Sequence, residues 1–378
     1  SGQIIVSQHI GANRRERLST AIGTLFSFTL LLGAVCTVLP IIFCDRLLGL
    51  LNIPEESFKY AHDYAVVCCL GNIPVFGYNA VCAVLRGMGD SRHPTIFVAI
   101  ASALNIVLDL IFVGPLKMAC FGAALATVIA QTVSCVISVC FIYRHRTAFG
   151  FDFRLRSFAI DRRECAALIK LGIPIALQNV LVSISFMFVS SRINVYGVVA
   201  AAVTAVGNKL SIAATICTNA LYTAGSSIVA QNFAARKHDR VGQTTMYILI
   251  ISVVFTALLS LLVALFPEQI FGIFDPNTDV IKMSHAFVPA AVISLLGFAG
   301  RSAALAFING IGFSSLSFAG GLLDGIAARI GLALLLGETL GLGVQGYWIG
   351  SALAGHVLFV IGIVYYFTGA WKKRSAIG

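Results

Sequence analysis

Apolar residues fall in long runs separated by short polar stretches. Ten runs of span length (about 20 residues) lie near 18–44, 58–85, 94–113, 119–143, 164–193, 199–233, 241–266, 280–308, 315–337 and 344–370. A shorter apolar segment ends near Ile10 and reads as a partial span. The pattern predicts an all-α polytopic membrane protein with ten complete helices and a remnant. Several runs exceed the bilayer thickness, which predicts tilt or extension beyond the lipid. Pro74 and Pro174 have apolar sequence on both sides and are expected to kink their helices; Pro40 and Pro289 also lie near or within runs.

The polar stretches alternate in sign. Residues 13–17, 86–92, 144–170, 236–240 and 372–374 hold 18 of the 26 Lys and Arg. The intervening loops hold Arg46, Lys59, Lys117, Arg192 and Lys282, and the loop 268–279 carries three acids and no base. The positive-inside rule then places the first set, and the C-terminus, in the cytoplasm. Lys209, Arg301 and Arg329 fall inside apolar runs.

Composition narrows the class. The chain is 58% hydrophobic and 11% charged, with mean hydropathy +0.92, against roughly 25% charged for soluble domains. A soluble enzyme is excluded. The net charge of +10 belongs to cytoplasmic loops and does not indicate a nucleic-acid partner. The segment 145–163 interleaves Phe149, Phe151, Phe153 and Phe158 with Arg154, Arg156, Arg162 and Arg163. Beside a span, that mixture is expected to lie on anionic headgroups. The ten cysteines include no CxxC and no Cys/His cluster. Cys36, Cys82, Cys135 and Cys217 sit within apolar runs and read as small buried hydrophobes, not disulfides or metal ligands.

The chain repeats itself. Residues 2–12 parallel 225–235, and Arg86-Gly87-Met88-Gly89-Asp90-Ser91 parallels Asn309-Gly310-Ile311-Gly312-Phe313-Ser314, both at an offset of 223. Gly122-Ala123-Ala124 against Gly346-Tyr347-Trp348 continues the match with a shift of one. Both copies fall in cytoplasmic loops, so the halves share one orientation. That is a parallel repeat about an axis along the membrane normal, a design of secondary transporters. The second half starts near Glu164, about 60 residues before its matched Ala224, whereas nothing precedes Ser1. The expectation is therefore a chain shortened at its front, from an intact protein of two six-helix bundles. Residues 1–144 would be an N-terminal lobe lacking its first helix and most of its second. Residues 145–163 would be a cytoplasmic linker, and 164–378 the C-terminal lobe.

Within the run 96–113 stand one acid, Asp109, and Asn105 one helical turn earlier. A carboxylate there costs roughly 2.5–3.5 kcal/mol to insert. At i and i+4 both side chains point to one face. An amide oxygen above a carboxylate suits Na⁺ or a proton relay; a polar pair packing helices together is the other reading. Asp324 is a second acid inside a run, and Arg301, Arg329 and Lys209 are its available bases. Such charges should face inward and pair, as a structural lock or as a substrate or gating contact. Asn79, Gln131, Gln178, Asn179 and Ser183 are polar positions for a substrate cavity, or glue between helices. Phe76, Tyr78 and Phe186 are aromatic candidates for the same cavity. No Ser/His, Asp/Asp or HExxH arrangement is present, and His285 and His356 are isolated. An intramembrane enzyme is not expected, nor any cofactor beyond a coupling Na⁺ or H⁺.

The stretch Leu85-Arg86-Gly87-Met88-Gly89-Asp90-Ser91-Arg92-His93-Pro94, its repeat Asn309-Gly310-Ile311-Gly312, Val229-Ala230-Gln231-Asn232 before a basic loop, and Gly122-Ala123-Ala124-Leu125-Ala126-Thr127 together resemble the multidrug and toxic compound extrusion (MATE) family, in its DinF-like branch. The resemblance covers essentially the whole chain. It implies a monomeric antiporter of the bacterial cytoplasmic membrane that exports small organic, often cationic and amphipathic compounds against inward Na⁺ or H⁺. Two lobes would rock about a central cavity. The family's cation site in the first lobe uses Asn-x-x-x-Asp and a Thr on the next helix; Asn105, Asp109 and Thr127 match it. That site's first-helix acid would belong to the missing front, so a non-transporting remnant is another outcome. The second lobe departs from the NorM-like branch, because residues 178–183 and 296–301 contain no acid. Coupling there is not expected. The superfamily also includes flippases for lipid-linked sugars, which would need a strongly cationic cavity; Lys209, Arg301 and Arg329 keep that open and Asp324 opposes it.

Overall fold

The computed structural model describes residues 1–50 and 54–376. Every regular element among them is helical. Ten helical stretches are long and apolar enough to cross a membrane, from Glu16–Ile42 to Gly343–Phe367, and they coincide with the ten apolar runs. Their outward side chains are themselves apolar, among them Leu110, Met187, Ile216 and Val360. A surface of that kind is stable only against lipid or another protein.

Contacts divide the chain into two compact units, Ser1–Leu168 and Ile169–Ile377. The first contains α1 (Gly2–Gly11), α2 (Arg15–Ile42), α3 (Cys44–Leu50), α4 (Glu55–Leu70), α5 (Asn72–Gly87), α6 (Arg92–Val113), α7 (Ala119–Arg144) and the single turn α8 (Arg146–Phe149). The break between α4 and α5 falls at Gly71, against whose bare backbone Val128 packs. Pro74 sits in the first turn of α5, where its missing N–H is no loss. Prolines 40, 174 and 289 lie inside helices that continue past them.

Residues 145–163 pack with the first unit, with Phe149 and Phe151 buried and Phe153 and Phe158 half-buried. Phe151 is buried, edge-on to Phe26 at 5.8 Å and to Phe158 at 5.2 Å. Ser27 donates to the Phe158 carbonyl at 2.6 Å, and the Asp161 N–H donates to Thr24 at 3.0 Å. The approach is possible because Gly23 has no side chain; a Cβ there would stand 1.7 Å from the Ser157 carbonyl oxygen. Leu155, 94% exposed, and Ile160 are large apolar side chains left outside.

The second unit takes in most of α9 (Arg162–Asn194), then α10 (Val198–Ala234), α11 (His238–Leu265), α12 (Pro267–Phe274), α13 (Thr278–Gly310), α14 (Ser314–Leu322), α15 (Gly331–Leu334), α16 (Gly343–Ala354) and α17 (Val357–Phe367). Segments Leu323–Ile330 and Leu335–Thr339, on either side of α15, are wound as π-helix. Helix α13 is the buried centre, packed on α10, α11, α16 and α17.

The repeat is written into the backbone of both units. Positive φ occurs at Asn13 and Arg236 (54° and 57°) and at Gly89 and Gly312 (94° and 78°), 223 residues apart in each case. It occurs again at Lys117 and Gly341 (51° and 69°) and at Ala119 and Gly343 (47° and 57°), now 224 apart. A Cβ on Gly87 would meet Val6 at 2.7 Å and the Gln3 carbonyl at 2.9 Å; one on Gly310 would meet Val229 at 2.6 Å and the Ser226 carbonyl at 3.0 Å. The extra residue of the second unit enters between Gly312 and Leu336, because Met118 N–H to Phe112 O and Leu342 N–H to Leu336 O are already the shifted pair. That interval holds the π-helical winding. A π turn closes i→i+5 and so absorbs one more residue than an α turn.

Candidate functional site

In the first unit, α6 and α7 bring Asn105 and Thr127 together. The Asn105 amide donates to Thr127 Oγ1 at 3.4 Å, and Thr127 donates to the Ala123 carbonyl at 3.0 Å. A cavity of about 100 Å³ opens here, lined by Tyr78, Ser102, Asn105, Thr127, Ala130 and Gln131. Asp109 lies one turn farther along α6, off that lining. It is half-buried, and its Oδ1 is fully buried without a hydrogen-bond partner. The structure therefore assembles Asn105, Thr127 and Gln131, and leaves Asp109 as an unpaired acid beside them. A buried carboxylate oxygen without a donor is a costly arrangement that binding a proton or a cation relieves.

In the second unit the acid is paired twice. Asp324, fully buried, accepts from Arg301 at 2.5 Å and from Arg329 at 2.7 Å. The second contact spans five residues of one helix. In α-winding, positions i and i+5 point apart; the π-helical stretch turns them to one side. Arg329 also donates to the Ser351 carbonyl at 2.9 Å and hydroxyl at 3.1 Å, and lies 4.0 Å from the Phe186 ring centre. Gly325 lets this turn approach the Leu181 carbonyl of α9. Lys209 does not join the network, contrary to its grouping with Asp324 above. Its ammonium sits over the Phe274 ring at 4.9 Å, reached along its own flexible stem.

Beside the triad is a cavity of about 530 Å³, lined in part by Gln178, Asn179, Tyr222, Arg301, Asn309 and Arg329. Gln178 is buried against Gly321, and its Nε2 has no partner. Asn309 donates to the Tyr222 hydroxyl at 3.1 Å. The two other substrate candidates lie elsewhere. Asn79 is exposed and donates to the Val75 carbonyl of its own helix, and Ser183 is exposed on α9.

Sequence reasoning did not single out Ser351 or Tyr222, and it placed Asn309 in a repeated loop motif and not in a site. The repeat carried the signal for the first of these. Ser351 stands 224 after Thr127, Arg329 stands 224 after Asn105, and Arg301 stands 223 after Tyr78. The two sites occupy one place in the duplicated scaffold. Also missed was a cluster at one end of the second unit, where Arg192 donates to Glu338 and Tyr347 donates to the same carboxylate at 2.5 Å. All ten cysteines are free, and no metal-binding group of His, Cys, Asp or Glu occurs among the described residues.

A duplicated bundle of membrane-length helices, with buried charges and amides around internal cavities, is the architecture of a polytopic transporter. The MatE family model matches residues 1–111 and 174–321, one segment in each unit, and the chain belongs to that family. The probable multidrug resistance protein YoeA of Bacillus subtilis is 27% identical over 379 residues, 98% of this chain and 81% of that protein. The probable multidrug resistance protein NorM of Thermotoga maritima is 23% identical over 99% of this chain and 81% of its own length. A crystal structure of a MATE protein in complex with MaL6 superposes with a TM-score of 0.91 at 22% identity, covering 99% of this chain and 84% of that one. That likeness carries the fold.

Proposed function

We propose that the chain exports small organic compounds across a membrane in exchange for an inward-moving cation, Na⁺ or H⁺, taken up in the first unit at Asp109 with Asn105 and Thr127. The observation that carries this reading is the buried, partnerless Oδ1 of Asp109 inside an apolar helix. Cation or proton binding neutralises the carboxylate and changes how α6 packs. Exchange follows if occupied and empty states differ in affinity for the organic compound, since only differential affinity couples two ligands. Movement of one unit against the other would carry the site from side to side. The second unit is not the coupling site in this reading, because Asp324 is already neutralised by Arg301 and Arg329.

The names of YoeA and NorM support an organic compound as cargo. A lipid-linked-sugar flippase has less support, because Asp324 cancels one of the two arginines a diphosphate would need. The test is efflux from vesicles holding the protein, with Na⁺ and pH gradients imposed separately. Asp109→Asn is expected to keep substrate binding and lose gradient-driven efflux at least ten-fold. Undiminished efflux in that variant rejects the role.

A further inference from the structure

We infer that the cavity of the second unit receives an anionic group, a carboxylate or phosphate, on the organic compound. The inference concerns the substrate class of the exporter proposed above and rests on that reading.

Charge comes first. Arg301, Arg329 and Asp324 leave one positive charge in excess beside the cavity. The unit's other acids do not offset it. Asp239, Glu268 and Asp279 sit in the first turns of their helices, Asp275 follows α12, and Glu338 is held by Arg192. A lock would need one arginine for one acid. Here Asp324 is fully buried while the Arg301 side chain keeps 18% exposure, so the excess charge lies on the cavity side. A guanidinium has five N–H donors and no acceptor; Arg301 uses one donor on Asp324.

The remaining lining adds donors. Gln178, Asn179 and Arg329 line the cavity, although Gln178 Nε2 and Arg329 Nε themselves have no accessible surface. The Tyr222 hydroxyl accepts from Asn309, which leaves its own proton to donate. Planar guanidinium groups suit carboxylate and phosphate oxygens. The volume, about 530 Å³, falls within the usual range for small-molecule sites.

The repeat sharpens the contrast. In the first unit the equivalent place holds Asn105, Thr127 and Tyr78, which are neutral and fit a cation. In the second it holds Arg329, Ser351 and Arg301. One scaffold thus offers opposite charge preferences, a mobile cation in one unit and an anion in the other.

The test uses the full chain in phosphatidylcholine nanodiscs, titrated with riboflavin and with flavin mononucleotide. The two share one fluorescent ring and differ by a phosphate. Fluorescence anisotropy is expected to show the phosphorylated flavin binding at least ten-fold more tightly. Arg301→Gln should erase the difference and Arg301→Lys should retain most of it. Asp324→Asn, which removes the competing acceptor, should tighten the phosphorylated flavin several-fold. Repeating the titration with phosphatidylglycerol in the discs separates two sources of the same anion. An unchanged preference points to a soluble compound, and competition points to a lipid headgroup. Phosphorylated flavin that binds no better than riboflavin, or not at all, overturns the inference, as does a preference that survives Arg301→Gln. Equilibrium binding needs no gradient, so failure of ion coupling at Asp109 would not produce either result.

Discussion

Asp90 shapes the turn between α5 and α6 through one carboxylate. Its Oδ1 accepts the N–H groups of Arg92 and His93, both at 3.1 Å, and its Oδ2 meets the His93 ring at 2.5 Å. Partial burial works to raise this carboxyl, but the hydrogen bonds from His93 and Arg92 outweigh it and hold it below the usual carboxylate range. A depressed folded value means stability that is present above the unfolded value, about 3.9, and lost as pH falls through the folded one. Asp90→Ala should cost about 1 kcal/mol at neutral pH, the usual worth of such a cap. The difference from wild type should vanish in acid below the carboxyl's titration, as read by thermal unfolding at a series of pH values. The repeat counterpart is Phe313, which has no such group to offer. At this scale the sequence showed which positions carry unusual chemistry: Asp109 and Asp324 stand out as acids among apolar neighbours. It could not show what each one touches. Both arginines reach Asp324 and Lys209 reaches a ring, because side-chain partners depend on packing between distant segments.

Among the elements, the pairing of α16 with the π-wound segment Leu335–Thr339 is set by a close approach. A Cβ on Gly346 would lie 2.4 Å from the Leu336 carbonyl carbon and oxygen. The obstacle is backbone and cannot swing aside. Gly346→Ala should therefore destabilise by about 1–3 kcal/mol or more, whereas Gly331→Ala, with nothing within 4 Å, should be neutral or gain up to about 1 kcal/mol from helix propensity. Thermal unfolding of the two variants in detergent makes the comparison. Span positions were legible because length and apolarity are local properties of the chain. The shift of one residue in the repeat was legible too, but its meaning was not. Only the backbone shows that the added residue is taken up as π-helix, and that this winding brings Asp324 and Arg329 to one side.

At the scale of the molecule, α9 begins in the first unit and runs on into the second. Its start is anchored by a buried contact, His9 Nε2 to Glu164 Oε2 at 3.1 Å. His9→Ala would strand a buried carboxylate, which costs about 3–5 kcal/mol. Combining it with Glu164→Gln should recover much of that loss, because the stranded charge is gone. Denaturation of the single and double variants reads the difference. The packing of the linker is the counterpart that sequence reasoning did not reach. Its arginine–aromatic composition resembles a surface segment, yet Gly23 admits its backbone to α2, and two of its four rings, Phe149 and Phe151, become interior.

The sequence by itself determined the helical membrane class, the ten spans, the duplication and the family, since each is carried by runs of apolar residues or by spaced motifs. The tertiary structure alone decided which polar groups meet. Arg301 on α13, Asp324 and Arg329 on the π-wound segment and Ser351 on α16 become one network because those segments pack together, and no local pattern encodes a contact made across a fold.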